Sequence, residues 1–271
     1  MTTQIDVNDR FHRSSLVEGY DQEKISALKV VVAGCGALGN YVALGLAGYG
    51  VREIVLVDHD FIEESNLNRQ LVFKNDDVTK AKSEALKERI VERSTEKTLV
   101  TSQQMMINED NIDFAIPDDT NVVFLCVDNA NVRLMINDYL VKKNIPFING
   151  GTKSGHFGEV CTVIPGKTAC LHCFMDEDPT RVNCSSEKNP SIVANSMLIS
   201  ALMLVEFQNL IMGRDTIPPV LKFASGRKIV KDDDIDDDAT TTTSSSEGLI
   251  FQPFYHIPIK QKPTCKCAKG E

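Results

Sequence analysis

Four charged side chains are spaced along the chain so that they can meet at one edge of a sheet. Asp58 and Asp128 each follow a run of apolar residues, Arg69 lies eleven residues beyond Asp58, and Lys82 lies thirteen residues further on. In an open α/β sheet, ligands bind beyond the carboxyl ends of the strands, so side chains that follow strands can converge there. Two cations suit a triphosphate or a departing pyrophosphate, and a carboxylate can hold Mg²⁺ that is shared with phosphates. Either cation alone is more simply a solvated surface residue, but the set together predicts a nucleotide and Mg²⁺ site.

Two close cysteine pairs form a second candidate site. Cys170 and Cys173 make a C-x₂-C pair, and Cys265 and Cys267 make a C-x-C pair near the end of the chain. Four thiolates in two pairs suit a closed tetrahedral zinc site that staples the C-terminus onto the domain. His172, between the first two cysteines, is a weaker alternative ligand.

The remaining cysteines divide into buried and exposed candidates. Cys35, Cys126 and Cys161 lie in apolar runs and are predicted to be small core residues. Cys184 instead lies in a polar loop just before an apolar helix, a setting that exposes a thiol and can lower its pKa. From its surroundings it is either an incidental loop thiol or a nucleophile.

A glycine turn must position the first of these residues. The stretch from residue 29 to residue 50 is a β-branched run, a turn and a helix start, with Gly34, Gly36 and Gly39 spaced as G-x-G-x-x-G. The first glycine permits the turn, the second lets backbone approach a phosphate, and the third lets the helix pack on the strand. The N-terminus of the helix then presents unpaired N–H groups to an anion.

Strands and helices continue to alternate along the chain. A second strand, residues 53–57, ends at Asp58, whose carboxylate can accept a hydrogen bond from a ribose hydroxyl. Further elements are predicted for residues 79–93 (helix), 121–127 (strand), 132–143 (helix) and 146–148 (strand). This order predicts a doubly wound, Rossmann-like, mainly parallel sheet. Strand-like runs at 220–230 and 249–259 predict a C-terminal antiparallel extension.

Composition excludes several classes of function. The chain of 271 residues is 42% hydrophobic with a net charge of −9, which is typical of a globular domain and argues against a nucleic-acid surface. The first residues lack an apolar core, so we expect that there is no signal peptide. We therefore also expect a cytoplasmic location, where the cysteines stay reduced. The longest apolar stretch, residues 191–212, is interrupted by six polar residues: Asn195, Ser196, Ser200, Glu206, Gln208 and Asn209. It is expected to be a buried helix, one that can face a second subunit, and not a membrane span.

Taken in order, GCGALG, VDHD, NLNRQ, the lysine helix and CVDN resemble the ubiquitin-activating-enzyme superfamily in its small, single-domain ThiF/MoeB-like form. The likeness runs from about residue 10 to the terminal cysteines. It implies adenylation, with MgATP, of the C-terminal glycine carboxylate of a ubiquitin-like, β-grasp protein. The predicted organisation is an N-terminal arm and helix (1–28), an adenylation domain (29–230), a flexible acidic and Thr/Ser-rich insert (231–248), and a C-terminal strand with a zinc-binding tail (249–271).

The resemblance also implies roles for individual residues. Gly36, Ala37 and Gly39 would line the nucleotide turn, and Asp58 would bind the ribose. The phosphates would be held by Asn66, Arg69 and Lys82. Asp128 and Asn129 would organise Mg²⁺ and the reacting centre. Lys80 lies two residues before Lys82, so either could be the phosphate lysine, and the spacing favours Lys82. Ala37 stands where many members have glycine, a small change.

Two further implied residues concern partners. Arg13 matches an arginine that the family contributes from one subunit to the other's site, which implies a homodimer. The location of Cys184 resembles that of the family's catalytic cysteine, which takes the acyl group as a thioester for transfer to a conjugating enzyme. The sequence departs from the family here, since the context of Cys184 is not rich in threonine and glycine and the second cysteine pair is C-x-C, not C-x₂-C.

The implied chemistry fits the residues, because a carboxylate that attacks the α-phosphate is one anion approaching another. Fixed cations and Mg²⁺ must offset that repulsion, and no general base is needed because the nucleophile is already ionised. A second hypothesis directs the same adenylate to sulfur transfer on a carrier protein, and a third is a tRNA-threonylcarbamoyladenosine dehydratase. From another class, an NAD-dependent oxidoreductase or a nucleotide-binding module would leave Arg69, Lys82 and Asp128 without a role.

Overall fold

The computed structural model describes residues 9–153, 157–175, 191–216, 220–224, 254–257, 259–262, 265 and 267. The acidic insert predicted at 231–248 lies outside this part of the chain. Within it, the strands are β1 (Lys29–Ala33), β2 (Glu53–Asp58), β3 (Leu99–Gln104), β4 (Val122–Leu125), β5 (Phe147–Lys153), β6 (Phe157–Val163), β7 (Val220–Ala224) and β8 (Phe254–Ile257).

The helices of the same residues alternate with the parallel strands. They are α1 (His12–Ser15), α2 (Gln22–Ile25), α3 (Ala37–Tyr49), α4 (Lys82–Val91), α5 (Ile112–Ala115), α6 (Ala130–Lys143), α7 (Leu171–Phe174) and α8 (Val193–Met212). Two short 3₁₀ turns, Glu64–Asn66 and Asn75–Asp77, lie between β2 and α4.

One sheet carries all eight of these strands, in the order β3-β2-β1-β4-β5-β6-β7-β8. The first five are parallel, and β6, β7 and β8 each join antiparallel to the preceding strand. The predicted doubly wound sheet with an antiparallel extension is therefore confirmed. The order reverses between β1 and β4, which is where a sheet of this kind binds its ligands.

Alternate side chains of the central strands pack into two separate cores. Val30 and Val32 of β1 face the layer of α3, α4 and α8, while Val31 and Ala33 face the layer of α5, α6 and α7. All four side chains are fully buried. A parallel strand covered on both faces is apolar throughout, which explains its continuous hydrophobic run.

The long helix α8 is apolar enough, and long enough, to cross a membrane by composition alone. Its contacts are those of a core helix. Ser200 Oγ donates to the Leu38 carbonyl at 3.0 Å, and Thr162 Oγ1 donates to the fully buried Glu206 carboxylate at 2.6 Å. Phe207 packs on Phe124 of β4 with ring centroids 5.6 Å apart. Ser200 and Glu206, two of the polar residues that interrupt this stretch, are thus paired inside the protein, which agrees with the predicted buried helix.

The structure departs from the predicted elements in two places that matter for the site. Strand β3 was not anticipated, because apart from Leu99 and Val100 it is polar. The helix predicted from residue 79 begins only at Lys82. Thr79 has a left-handed backbone (φ 76°), and residue 81 forms an antiparallel bridge with Phe61, so residues 79–81 belong to a turn.

Candidate functional site

The glycine turn between β1 and α3 is as tight as its spacing predicts. Gly34 has a left-handed backbone (φ 95°), and a Cβ there would lie 2.8 Å from the backbone of Cys126. A Cβ on Gly39 would overlap the carbonyl oxygen of Gly34, so the helix contacts the strand directly. At Gly36 the nearest atom to an added Cβ, Gln70 Nε2, is 3.9 Å away. A Cβ at the second glycine would thus make only an ordinary contact with one side-chain atom, and backbone does not close this position as it does at Gly34 and Gly39.

Helix α3 begins at Ala37, with Gly36 as its N-cap residue. No side chain of the described residues caps this end. The first N–H groups of a helix that lacks a side-chain cap are donors for an anion, and the helix dipole adds to the attraction. A cap of glycine followed by alanine leaves this approach unobstructed.

Asp58, the last residue of β2, lies beside this turn. Its carboxylate accepts hydrogen bonds from the N–H of Cys35 at 2.6 Å and from the N–H of Asp60 at 2.7 Å. Burial raises the pKa of Asp58, and the nearby Lys82 ammonium opposes that rise. Because a carboxylate has about four lone-pair directions, it can still accept from a ribose hydroxyl. Asp58 thus stabilises the glycine turn through its hydrogen bond from Cys35.

The two candidate lysines point to different places. Lys82 is the first residue of α4, its side chain is only 9% exposed, and its Nζ lies 2.7 Å from Asp60 Oδ2. Lys80 is 44% exposed and pairs with Asp77 at 2.9 Å, on the far side of the turn at residue 79. The structure therefore brings Lys82, and not Lys80, to the edge where Asp58 lies.

Asn66 and Arg69 lie on the loop between β2 and α4. Asn66 is buried, and its Oδ1 accepts from the N–H of Glu63 at 3.1 Å, closing a 3₁₀ turn. Arg69 is partly exposed, and its guanidinium donates to the Ser65 carbonyl at 2.7 Å. The hydroxyl of Tyr41 donates to the Arg69 carbonyl at 3.0 Å, which ties this loop to α3.

Asp128 and Asn129 follow β4 and reach the same edge of the sheet. The segment just before them contacts Gly34, so the two turns pack on each other. Asp128 is exposed and available to a cation. Asn129 Oδ1 is instead occupied as the N-cap of α6, where it accepts from the N–H groups of Asn131 at 2.9 Å and Val132 at 3.2 Å. Asn129 thus fixes the start of α6 directly after Asp128, and its role at the reacting centre stays a prediction.

Arg133 was not singled out from the sequence, yet it lies at this edge. It donates to the Gly150 carbonyl at 2.9 Å and to Asn149 Oδ1, both within β5. Burial lowers the pKa of this guanidinium, and the carboxylates of Glu159 and Asp128 oppose the effect. Its position one turn after a helix N-cap was a possible signal, but its burial could not be seen in the sequence.

Arg13 lies far from the other predicted site residues of its own chain. It is exposed on α1. The arm is anchored at the opposite end of α3 from the glycine turn, because a Cβ on Gly50 would overlap the ring of Phe11. Helix α3 has 13 residues, so the separation is roughly 20 Å at 1.5 Å per residue. One chain alone does not bring Arg13 to the turn.

The four paired cysteines converge, as their spacing predicted. The Sγ atoms of Cys170 and Cys265 are 3.4 Å apart, those of Cys173 and Cys267 are 3.6 Å apart, and all four lie within 4.8 Å of one another. These distances exceed a disulfide bond of about 2.05 Å. They are close to the roughly 3.8 Å that separates sulfurs around a tetrahedral zinc with Zn–S bonds of about 2.3 Å. The set fits a structural zinc ion.

His172 does not belong to this cluster. Its Nε2 lies 2.7 Å from Asp138 Oδ1 on α6. The group of potential ligand atoms contains the four sulfurs and not this ring, so His172 as the alternative ligand is wrong for this arrangement. The segment between Cys170 and Cys173 is also held to α6, because the Leu171 N–H donates to Asn137 Oδ1 at 3.0 Å.

The other cysteines separate as expected where they are described. Cys35 and Cys161 are buried and Cys126 is half-buried. Burial raises the pKa of Cys126 to about 12 and raises those of the other two, so these thiols stay protonated. Cys184 lies outside the described residues, and its role stays a prediction.

The sequence profile of the ThiF family matches residues 9–232. The chain is 32% identical over 204 residues to the sulfur carrier protein ThiS adenylyltransferase of Bacillus subtilis, covering 74% of this chain and 60% of that protein. It is 31% identical to the Escherichia coli protein of the same name, over 76% of this chain and 81% of that one. The NEDD8-activating enzyme E1 catalytic subunit of Saccharomyces cerevisiae is 32% identical, over 61% of this chain and 58% of that subunit. The chain thus spans less than two thirds of the first and third relatives.

Among solved structures, E. coli MccB with ATP superposes with a TM-score of 0.77 at 25% identity. The match covers 98% of this chain and 75% of that one. The likeness therefore includes the antiparallel extension as well as the parallel half of the sheet.

Proposed function

The chain belongs to the ThiF family, and from that premise we propose that it is an ATP-dependent enzyme that adenylates the C-terminal glycine carboxylate of a ubiquitin-like, β-grasp protein. One observation carries the proposal. The buried Lys82 ammonium pairs with Asp60 and stabilises the ionised form of Asp58, beside the glycine turn and at the edge where Asp128 also emerges. That edge offers fixed charges of both signs for a nucleotide, a metal ion and an incoming anion.

Each residue would act on a different part of MgATP. Asp58 would accept from the ribose, and the N-terminus of α3 would bind phosphate through its backbone N–H groups. Lys82 would exchange its Asp60 partner for phosphate oxygens, and Arg69 would approach them from its loop. Asp128 would hold Mg²⁺, which would neutralise part of the charge on the phosphates.

The reaction then needs positioning more than proton transfer. A carboxylate oxygen of the partner's terminal glycine attacks the α-phosphorus, a new P–O bond forms, and the bond to pyrophosphate breaks. The nucleophile is already ionised near neutral pH, so it needs no base. Lys82 and Arg69 would offset the repulsion between the two anions and stabilise the charge on departing pyrophosphate.

We further propose a homodimer in which Arg13 completes the partner's site. The distance of α1 from its own glycine turn supports this arrangement. A face of α8 also supports it, because four apolar residues at helical spacing remain exposed there: Ala194, Met197, Ala201 and Val205. Leu16 and Val17 of the arm are exposed as well, and the Glu18 carbonyl accepts a hydrogen bond from Arg214, just past the end of α8. Analytical ultracentrifugation would test the dimer, and Arg13→Ala should lower activity without dissociating it.

The fate of the adenylate divides the proposal into two branches. In the first, Cys184 takes the acyl group as a thioester and passes it to a conjugating enzyme. In the second branch, the adenylate of a sulfur-carrier protein becomes a thiocarboxylate. The likeness to two ThiS adenylyltransferases supports this second branch. Mass spectrometry of the partner's C-terminus separates them. Cys184→Ala should abolish a reducible adduct and leave ATP–pyrophosphate exchange intact in the first branch.

We also propose that the four paired cysteines hold one structural Zn²⁺. The ligand set is closed, with no place for a substrate, and it joins the C-terminal tail to the segment around α7. Thiolates of this kind persist where thiols stay reduced, which fits a cytoplasmic location.

The direct test of the proposed function is isotope exchange between pyrophosphate and ATP. Purified protein with Mg²⁺ should catalyse it only when a β-grasp protein ending in Gly-Gly is present. A partner that lacks the last two glycines is the matched control. Tight nicotinamide binding without any exchange would instead support an oxidoreductase or a nucleotide-binding module.

A further inference from the structure

Gln70 is a buried amide that faces the glycine turn. Its side chain is 3% exposed, and its Nε2 is the nearest atom to the position of a Cβ on Gly36, at 3.9 Å. The backbone of Gln70 is fixed, since its N–H donates to Asn66 at 3.0 Å and its carbonyl accepts from Phe73 at 3.1 Å. The amide is therefore held in place next to the N-terminus of α3.

This amide has no hydrogen-bond partner within the described part of the chain. Its Oε1 is fully buried and unpaired there. A buried polar group without a partner is unfavourable, and an apolar side chain of the same length would pack against Gly36 without that penalty. A phosphate cannot donate to Oε1, so a ligand in the turn would be bound by the other polar atom of the amide, the Nε2 that lies nearest to Gly36 and carries two N–H groups.

The position identifies which part of a nucleotide would occupy the turn. Gly36 is one residue beyond Cys35, whose N–H donates to the Asp58 carboxylate at 2.6 Å. If Asp58 accepts from the ribose, the phosphate attached to that ribose comes to Gly36. A neutral donor at that point adds a hydrogen bond to an anion without adding charge.

We propose that Gln70 is a binding residue for the α-phosphate, to which it donates through Nε2. The inference rests on the proposed function only for the identity of the nucleotide. Gln70 would contact the phosphorus centre that is attacked, and the same group remains in the adenylate after pyrophosphate leaves. Lys82 and Arg69 would then serve chiefly the phosphates that depart.

The test compares nucleotide binding in two variants by isothermal titration calorimetry. Gln70→Met keeps the length and packing of the side chain but removes the donor. We expect it to bind both ATP and AMP about tenfold to a hundredfold more weakly, the effect of one hydrogen bond to a charged group, while adenosine binding is unchanged. Gln70→Glu places a negative charge at the same position and should weaken ATP and AMP binding further.

Two controls separate this role from a structural one. Asn75→Asp introduces the same change of charge on the same loop at an exposed position and should bind ATP like the wild type. The thermal midpoint of Gln70→Met should not fall, because the substitution removes an unpaired buried oxygen. Unchanged ATP and AMP affinity in Gln70→Met, or an equal loss for adenosine, would overturn the proposal. If nucleotide binding depends on Gln70 but no pyrophosphate exchange occurs, the role of Gln70 stands and the proposed adenylation is rejected.

Discussion

Replacing Lys82 by methionine tests which lysine serves the phosphates. The substitution removes the ammonium and keeps the length of a side chain that is only 9% exposed. Lys80→Met is the matched control, because that lysine is two residues away, 44% exposed and engaged with Asp77. The two variants lose the same charge from the same segment, and they differ in the position, burial and ion-pair partner of the ammonium.

The expected effect follows from the burial of the Lys82 ammonium. Two unit charges about 4 Å apart attract by about 4 kcal/mol at an effective dielectric constant near 20, which suits a partly buried site. Asp60, 2.7 Å from Nζ, competes with the phosphate, so only part of this attraction is gained on binding. A loss of about 2.7 kcal/mol corresponds to about a hundredfold in kcat/KM for ATP. Lys80→Met should stay within about threefold of the wild type, since exposed charges are screened.

Isotope exchange between pyrophosphate and ATP, measured over a range of ATP concentrations, gives kcat/KM for each variant. Thermal unfolding of both variants establishes that they are folded. Equal losses in the two variants, or a larger loss in Lys80→Met, would refute the placement of the phosphates at the Asp58 edge. Near-normal exchange in Lys82→Met would do so as well.

Three further changes test other parts of the structure. Thr79→Gly should raise the free energy of unfolding by about 1 kcal/mol, or a few degrees in Tm, because it relieves a left-handed backbone at an exposed threonine; an unchanged or lower Tm contradicts this. For Asp77, burial alone would raise the pKa, but hydrogen bonds from Lys80 and Arg89 outweigh it and lower the pKa. The stability it contributes is complete above its unfolded-state pKa and is lost as the pH falls through the lower folded-state value. The difference in urea stability between wild type and Asp77→Asn should therefore shrink below about pH 4, and a constant difference would contradict it. Native mass spectrometry should find one zinc per chain and none in Cys265→Ser, whose Tm should be lower; a metal-free wild type of equal stability would exclude the zinc site.

Much of the fold follows from local patterns that the structure confirms. The glycine spacing predicts a turn in which Gly34 and Gly39 leave no room for a Cβ, and both positions prove to be closed by backbone. The continuous apolar runs predict strands covered on both faces. In contrast, β3 escaped prediction because Thr101 and the three residues that follow it are polar in a strand at the edge of the sheet.

The site was only partly predictable, for a physical reason. Residue type and order place Asp58 and Asp128 at strand ends, and the spacing favours Lys82 over Lys80, but the sequence does not show where either ammonium lies. That distinction depends on a backbone turn at Thr79 held by the bridge between Phe61 and residue 81, a contact between distant segments. Gln70 ends the NLNRQ motif, but only the structure shows its burial against Gly36.

The most direct test of the account is whether the protein returns labelled pyrophosphate to ATP. With Mg²⁺ and a β-grasp protein ending in Gly-Gly, the wild type should catalyse this exchange, and Lys82→Met should be slower by about a hundredfold. No exchange with any such partner, from a folded protein that binds ATP, would contradict the central claim that this edge of the sheet directs a carboxylate to the α-phosphate.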